Sequence, residues 1–453
     1  MPSTRNDCSK TEEIAPVFLA QLGIIRVPFL STLNPKKGNM LATDRFCPRS
    51  EDLQQLRAGL IGPQLQSFAA LLSEQGYCSD YGWRKMRLVA GLSRWLQRRH
   101  IPLTELNETR IAMFLNNRRK RGQSQAGDRC TMALLLRHLR RANIVPPLSP
   151  VIRSDIDLIC QEYESFLLEE RGLVRSSTDS NLTAARRFLS HRFPSGKVYL
   201  TKLRARDVTD FVLYDSAKVS PKTVQRTATA LRSLFGFLFQ KGRLSTNLRA
   251  AVPMVAVRRL AELPRYLEPG QVEKVLRCCD RRRKVGKRDY AILLVLARLG
   301  LRAGELVRLT LEDIDWRAGE LLVRGKGARL DRLPLMQDVG QALADYLQNG
   351  RPDCSSRRVF IQCNAPHVGF PSHASTVCSI VRQALTRADI KSPHMGAHVL
   401  RHSLATRMLR NGATLAQIGQ VLRHQLPQTT QIYAKVDLNA LRALALPWQG
   451  GVL

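Results

Sequence analysis

Tyr433 stands nine positions after His424 in the stretch HQLPQTTQIYAK. A phenol whose ordinary pKa is about 10 attacks nothing at neutral pH unless another group takes its proton or a cationic field stabilises its anion. Three stretches upstream carry side chains able to hold positive charge or a transferable proton. GLRAGELVRL places Arg302 just before a short helix, RGKGARLDRLPL places Lys326 at a hairpin tip, and HVLRHSLAT places His398 and Arg401 three residues apart on one helix face. Singly, each has an ordinary reading. Arg302 reads as a solvated surface charge, Lys326 as a soluble tip residue, His402 as a core or neighbouring residue, and Tyr433 as packing.

Together, the order Arg302, Lys326, His398, Arg401, His424, Tyr433 resembles the tyrosine recombinase (phage-type integrase) family. Its boxes read much like GLRxGEL, GKG, HxLRHxxAT and LGHxxxxTTxxYxH. The resemblance is close over about the last 190 residues and looser over the helical block before them, which looks like the family's core-binding domain. It implies a site-specific recombinase that cuts and rejoins DNA through a 3′-phosphotyrosyl link, with no metal or nucleotide cofactor. Attack on a phosphodiester builds negative charge around phosphorus, which must be stabilised more than the ground state is. By this resemblance Arg302 and Arg401 grip the nonbridging oxygens, and His424 donates a further hydrogen bond. His398 is the acid-base partner of Tyr433, and Lys326 protonates the leaving 5′-oxygen. The chain departs from the boxes at Arg423, where the family commonly has Gly, and at Lys435, where it commonly has His. The same chemistry without strand exchange would make a type IB topoisomerase, which the boxes fit less well. A rival of another class is a non-catalytic DNA-binding regulator, since RNGATLAQIGQVLRHQ has the form of a helix-turn-helix.

Composition agrees with a polyanionic partner. The 453 residues carry 71 Lys+Arg against 37 Asp+Glu, a formal charge of +34. Arg outnumbers Lys roughly threefold, which suits bidentate contacts to phosphate. The ten cysteines show no CxxC pair, and no stretch is long and apolar enough to span a bilayer. These features lead us to expect a cytoplasmic, nucleoid-associated protein of bacterial type. By resemblance, its partner is duplex DNA with inverted-repeat core sites, bound as a homotetramer, and the role is that of a mobile-element integrase.

The elements that must position the six residues read as mainly α with a small β-hairpin. We expect an extension over 1–60, an extra helical module over 61–146, a helical core-binding domain over 153–250, a linker over 251–266, and an α+β catalytic domain with a C-terminal tail over 267–453. The two helical blocks look like a duplication. LTELNETRIAMFL (103–115) aligns with LTKLRARDVTDFV (200–212), and Trp95-Leu96 matches Phe188-Leu189. Arg186, Arg187, Lys222, Arg226 and Arg232 are candidates for phosphate contacts in the second block. In the first, RRKRGQSQAGDRC could touch phosphates, bind a separate DNA site or mediate assembly. In the last domain Gly300 and Gly412 read as helix stops, and TLAQ (414–417) as a capping box. Thr429 and Thr430 would start or cap the helix presenting Tyr433, with Pro427 ending the turn before it. The tail, with Leu438, Leu441, Leu444 and Leu446, would dock on a neighbouring protomer or on its own domain.

Overall fold

The computed structural model describes residues 43, 45–46, 54, 59–147, 154–256, 263–325, 327, 329–371, 374–392 and 395–436. The extension, the middle of the linker, Lys326 and the tail from 437 onward therefore lie largely or wholly outside the described residues. Residues 148–262 form one compact unit, and 1–147 with 263–453 form another.

The first block is four helices, α1 (Leu65–Glu74), α2 (Ser79–Arg98), α3 (Glu108–Lys120) and α4 (Asp128–Arg141). The second has the same order, α5 (Asp155–Ser165), α6 (Arg175–Arg192), α7 (Ala205–Ser216) and α8 (Pro221–Gln240). In each block a 3₁₀ turn, Leu103–Glu105 or Leu200–Lys202, precedes the third helix. Each closes over its own core, one built on Phe68, Trp95, Leu96 and Phe114, the other on Tyr163, Phe188, Phe211 and Phe235. Apolar residues at three- and four-residue spacing put these side chains on one stripe per helix, and the stripes meet inside.

The third region begins with α9 (Pro269–Arg277) and α10 (Lys284–Leu299). Every residue from Ala291 to Ala297 on α10 is buried, so this helix is the axis of the region's core. A helix apolar on all sides belongs inside, and each large side chain buried there contributes about 1.5–3 kcal/mol. A short helix α11 (Ala303–Arg308) leads to a three-stranded antiparallel sheet in the order β1 (Ile314–Asp315), β2 (Glu320–Arg324), β3 (Leu330–Pro334). Val323 pairs with Asp331 and Arg324 with Leu330, so the expected hairpin turns over 325–329, where Lys326 falls. Leu321 and Val323 point to the core while their neighbours face outward. Helices α12 (Gln337–Asn349), α13 (Ser375–Arg387), α14 (His398–Arg410) and α15 (Leu415–Val421) complete the region. Two 3₁₀ turns, Pro427–Thr429 and Gln431–Val436, follow.

Both expected stops are present. Gly412 ends α14 with φ +86°, and Thr414 and Gln417 form the capping box of α15. Pro427 differs from expectation: it opens a 3₁₀ turn rather than ending one, because its fixed φ and missing N–H suit a first helical position. Gly300 caps α10 with φ +59°, and a Cβ there would lie 2.8 Å from Leu422 Cδ2 and 2.9 Å from Leu404 Cδ2. Both the backbone conformation and the space demand glycine. Gly300→Ala should therefore lower stability by about 2 kcal/mol in urea denaturation, and an unchanged midpoint would contradict this account of the turn.

Candidate active site

Arg302 is the N-cap of α11, two residues past the tight turn at Gly300. Its backbone N–H donates to Glu305 at 2.9 Å and its guanidinium donates to the same carboxylate at 2.6 Å. A third donor to Glu305 is the Arg423 guanidinium, at 2.9 Å. Glu305 is 2 % exposed. Burial alone would raise its pKa, but the Arg302 backbone N–H and the two guanidiniums outweigh that and hold it below the usual carboxylate range. Arg423 is therefore more than a departure from the family boxes. It takes φ +56°, the left-handed region where glycine is unstrained, and offsets that strain with a buried ion pair.

Arg401 projects from the first turn of α14 into the same interior and is 3 % exposed. Its guanidinium donates to the carbonyls of Gly300 and Leu422, which ties α10, α14 and α15 together. Burial, with Arg302 and Arg423 nearby, lowers its pKa to about 10, so it stays charged at neutral pH. Two guanidiniums thus share one buried carboxylate with a third beside them, and the pocket keeps an excess of positive charge. An anion entering it would be stabilised strongly, since screening by water is weak there.

Tyr433 lies beside these groups, 1 % exposed, on the 3₁₀ turn Gln431–Val436. Its ring packs with Leu404, Ala405, Ile418 and Leu422. Burial raises its pKa to about 12 despite the opposing fields of Arg401 and Arg302, so the hydroxyl is protonated. That hydroxyl is 2.8 Å from His402 Nδ1. His398, one helical turn earlier, has its ring centroid 6.2 Å from that of His402. His398 is exposed to solvent, yet desolvation by the surrounding protein lowers its pKa, helped by Arg401 and Arg302. His424 lies parallel to the Tyr433 ring, with centroids 6.5 Å apart. Desolvation and the charges of Arg401 and Arg302 push its pKa down to about 4, so it is neutral near pH 7. Its Nδ1 sits 2.7 Å from Thr430 Oγ1. If the threonine hydroxyl donates there, the imidazole proton is left on Nε2, facing outward as a donor.

The structure thus brings Arg302, His398, Arg401, His424 and Tyr433 into one pocket, while Lys326 lies outside the described residues. Among the described residues no group of three His, Cys, Asp or Glu side chains is placed to hold a metal ion, and no helix is long and apolar enough to cross a membrane. Three contributors were not singled out by the sequence reading. His402, taken there as a core or neighbouring residue, is the direct partner of the phenol. Glu305 and Arg423 set the charge balance from positions 118 residues apart. The Glu at the third position of α11 is a capping signal, and the unusual Arg423 was visible, but their pairing was not. Thr430 stands, as expected, at the start of the turn presenting Tyr433, where its carbonyl accepts from the Tyr433 N–H at 3.0 Å, and its side chain meets His424 as well. Of the phosphate candidates in the second block, Arg186 pairs with Asp157, Arg187 with Asp215, and Arg232 with the carbonyls of Val252 and Pro253. Lys222 and Arg226 stand exposed on α8, four residues apart on one face.

The model of the phage integrase family matches residues 265–439. A protein of Sinorhizobium fredii (strain NBRC 101917 / NGR234) described as integrase/recombinase y4rA is 43% identical over 385 residues, which cover 84% of this chain and 93% of the relative. Tyrosine recombinase XerD of Listeria innocua serovar 6a is 31% identical over 294 residues, covering 63% of this chain and 96% of that protein. Among solved structures, the post-cleavage complex of the XerH site-specific recombinase bound to a palindromic difH substrate is 18% identical with TM-score 0.49, covering 69% of this chain and 94% of that one.

Two outcomes follow from the pocket. His424 binds its proton more weakly folded than unfolded, where its pKa is 6.5, so its contribution to stability is complete above that value and is lost as pH falls toward about 4. The wild-type melting temperature should drop further between those limits than that of His424→Gln; equal drops would contradict the assignment. Replacing Arg423 by Gly or Ala removes the same ion pair but only glycine relieves the backbone, so the Ala variant should be less stable by about 1 kcal/mol in chemical denaturation. Equal stabilities would mean that the left-handed turn costs nothing.

Proposed function

Because this chain belongs to the phage integrase family, the tyrosine recombinases, we propose that Arg302, Lys326, His398, Arg401, His424 and Tyr433 are the catalytic groups of a site-specific DNA recombinase. One observation carries the assignment: the Tyr433 hydroxyl rests on His402 inside a pocket whose guanidiniums outnumber its carboxylates three to one. Such a pocket has an energetic use for a phosphate and for a phenol beside it. A buried tyrosine serving only as packing needs neither the charge nor the imidazole.

In the proposed step, Tyr433 Oη attacks the scissile phosphorus and gives up its proton to His402, which its hydroxyl touches, while His398, expected from the resemblance to take that proton, stands beside His402 as the next acid-base group. The P–O5′ bond breaks as the phosphotyrosyl bond forms on the 3′ side, and Lys326 protonates the departing 5′-oxygen. The 5′-hydroxyl of a second strand then attacks the same phosphorus and releases Tyr433, so the bond energy is conserved throughout. Arg302 and Arg401 hold the nonbridging oxygens, and His424 donates to one of them from Nε2. Groups already oriented by Glu305, Gly300 and Thr430 need little reorganisation at that moment.

The substrate in this reading is duplex DNA with inverted-repeat core sites, held by a homotetramer in the bacterial cytoplasm at the nucleoid, in the service of a mobile element. Residues 153–250 act as the core-binding domain, with Lys222 and Arg226 toward phosphates, and 267–453 as the catalytic domain. The relatives described as integrases or recombinases support the partner; the role in transposition rests on the extra helical module.

The test is incubation with a nicked suicide duplex followed by denaturing electrophoresis. Wild type should form a covalent protein–DNA adduct, Tyr433→Phe none, and His402→Gln should form it about a hundredfold more slowly with little change in DNA affinity. An adduct that survives in Tyr433→Phe overturns the assignment, and binding with no adduct in the wild type favours the regulator.

A further inference from the structure

The two four-helix blocks differ at one informative place. In the second, Trp95 of the first block is matched by Phe188, and Phe114 by Phe211. The aromatic pairs meet in the same way, with centroids 5.9 Å apart in one block and 5.4 Å in the other. Arg187, just before Phe188, forms an ion pair with Asp215, four residues after Phe211 and fully buried. The rest of that face is filled by His191, whose ring lies 4.3 Å from Tyr214, and by Lys218 over the Tyr214 ring.

In the first block the residue before Trp95 is again an arginine, Arg94, but the position matching Asp215 is Arg118. Where one block has a neutralised pair, the other sets two guanidiniums on facing helices. Arg98 and Arg121 take the places of His191 and Lys218, and no stacked ring closes the surface. The result is a cleft of about 540 Å³ lined by Arg94, Trp95, Arg98, Phe114, Arg118 and Arg121, among others, with no acidic residue in its walls. Arg118 is held by its own fold, donating to the Gln123 carbonyl at 2.6 Å and lying 3.5 Å from Asp128. Arg94 and Arg121 have no side-chain ion pair among the described residues. The buried indole N–H of Trp95 has no hydrogen-bond partner either. Between 61 and 146 there are fifteen basic and five acidic residues, so beyond Asp128 beside Arg118 the block has little acid to set against the cleft.

The geometry points to a second DNA contact: this cleft binds phosphodiester groups of duplex DNA through Arg94, Arg98 and Arg121, separately from the pocket around Tyr433. Guanidinium forks match phosphate oxygens in pairs, and several on one wall follow a backbone rather than one ion. Trp95 and Phe114 are 5 % and 4 % exposed, so neither offers a face on which an unpaired base could stack. The contact is therefore to backbone, independent of sequence, and adds affinity without specificity. It rests on the chain's being a DNA recombinase but takes no part in the bond-breaking step.

The experiment is a salt titration of duplex binding by the full chain, comparing wild type with Arg94→Gln/Arg121→Gln. Each phosphate neutralised by a side chain contributes about 0.9 to the magnitude of the negative slope of log K against log salt, so the double variant should lose about 2 from that magnitude and about tenfold or more in affinity near physiological salt. Arg94→Lys/Arg121→Lys keeps the charge and should retain the slope while losing part of the affinity. Arg118→Asp, which recreates the ion pair of the second block, should reproduce the loss seen with the Gln double variant. Adduct formation on a suicide duplex at saturating protein should be unaffected in all three, which separates this contact from the chemistry at Tyr433. Gln and Asp variants that bind duplex with wild-type slope and affinity overturn the proposal. The same holds if their only change is in oligomeric state, which would assign the cleft to a protein partner.

Discussion

The arrangement around Tyr433 depends on one imbalance: the carboxylate of Glu305 faces the guanidiniums of Arg302 and Arg423, with that of Arg401 close by. Burial of one carboxylate with fewer cations would be close to neutral, because the desolvation of charges roughly cancels their attraction. With three cations the pocket is left short of negative charge, and burial, reinforced by that shortage, lowers the pKa of Arg401, His398 and His424 together. Under the proposed function, a phosphate supplies what is missing. Glu305 orients the cations without neutralising them.

The same fields act on Tyr433 in the opposite sense. Arg401 and Arg302 favour its phenolate, yet burial wins and leaves the hydroxyl protonated with a pKa of about 12. A phenol so held is inert until its proton has somewhere to go. His402 is already in hydrogen-bond contact with it, and the substrate's arrival would complete the charge balance. Helix α14 carries His398, Arg401 and His402 within two turns, so a single rigid element sets both the charge and the proton acceptor. The carbonyls of Gly300 and Leu422 fix Arg401 against the ends of α10 and α15, and at the same turn the side chains of Leu404 and Leu422 leave Gly300 no room for a Cβ.

Much of this was legible in the sequence for identifiable reasons. The helix boundaries in the last region follow from apolar spacing and from glycine stops, and the hairpin from alternation around Gly-Lys-Gly. Arg302, His398, Arg401, His424 and Tyr433 could be picked out by order and type because their chemistry restricts each to a few residue kinds. His402 could not, since a histidine at i+4 from another reads equally well as packing. Arg423 stood out as unusual, but its use depends on φ +56° and on a carboxylate far away in sequence, neither of which a linear pattern carries. The likeness between the two helical blocks was visible in Trp95-Leu96 and Phe188-Leu189. What separates them, Arg118 where the other has Asp215, matters only once the facing helices are in place.

The most direct test of the charge imbalance is a crystal structure of Tyr433→Phe bound to an uncut duplex core site. The account predicts the scissile phosphate within hydrogen-bond distance of the Arg302 and Arg401 guanidiniums and of His424 Nε2, with Glu305 still accepting from Arg302 and Arg423. A phosphate bound away from those guanidiniums, or a Glu305 released from both arginines when DNA is present, would contradict it.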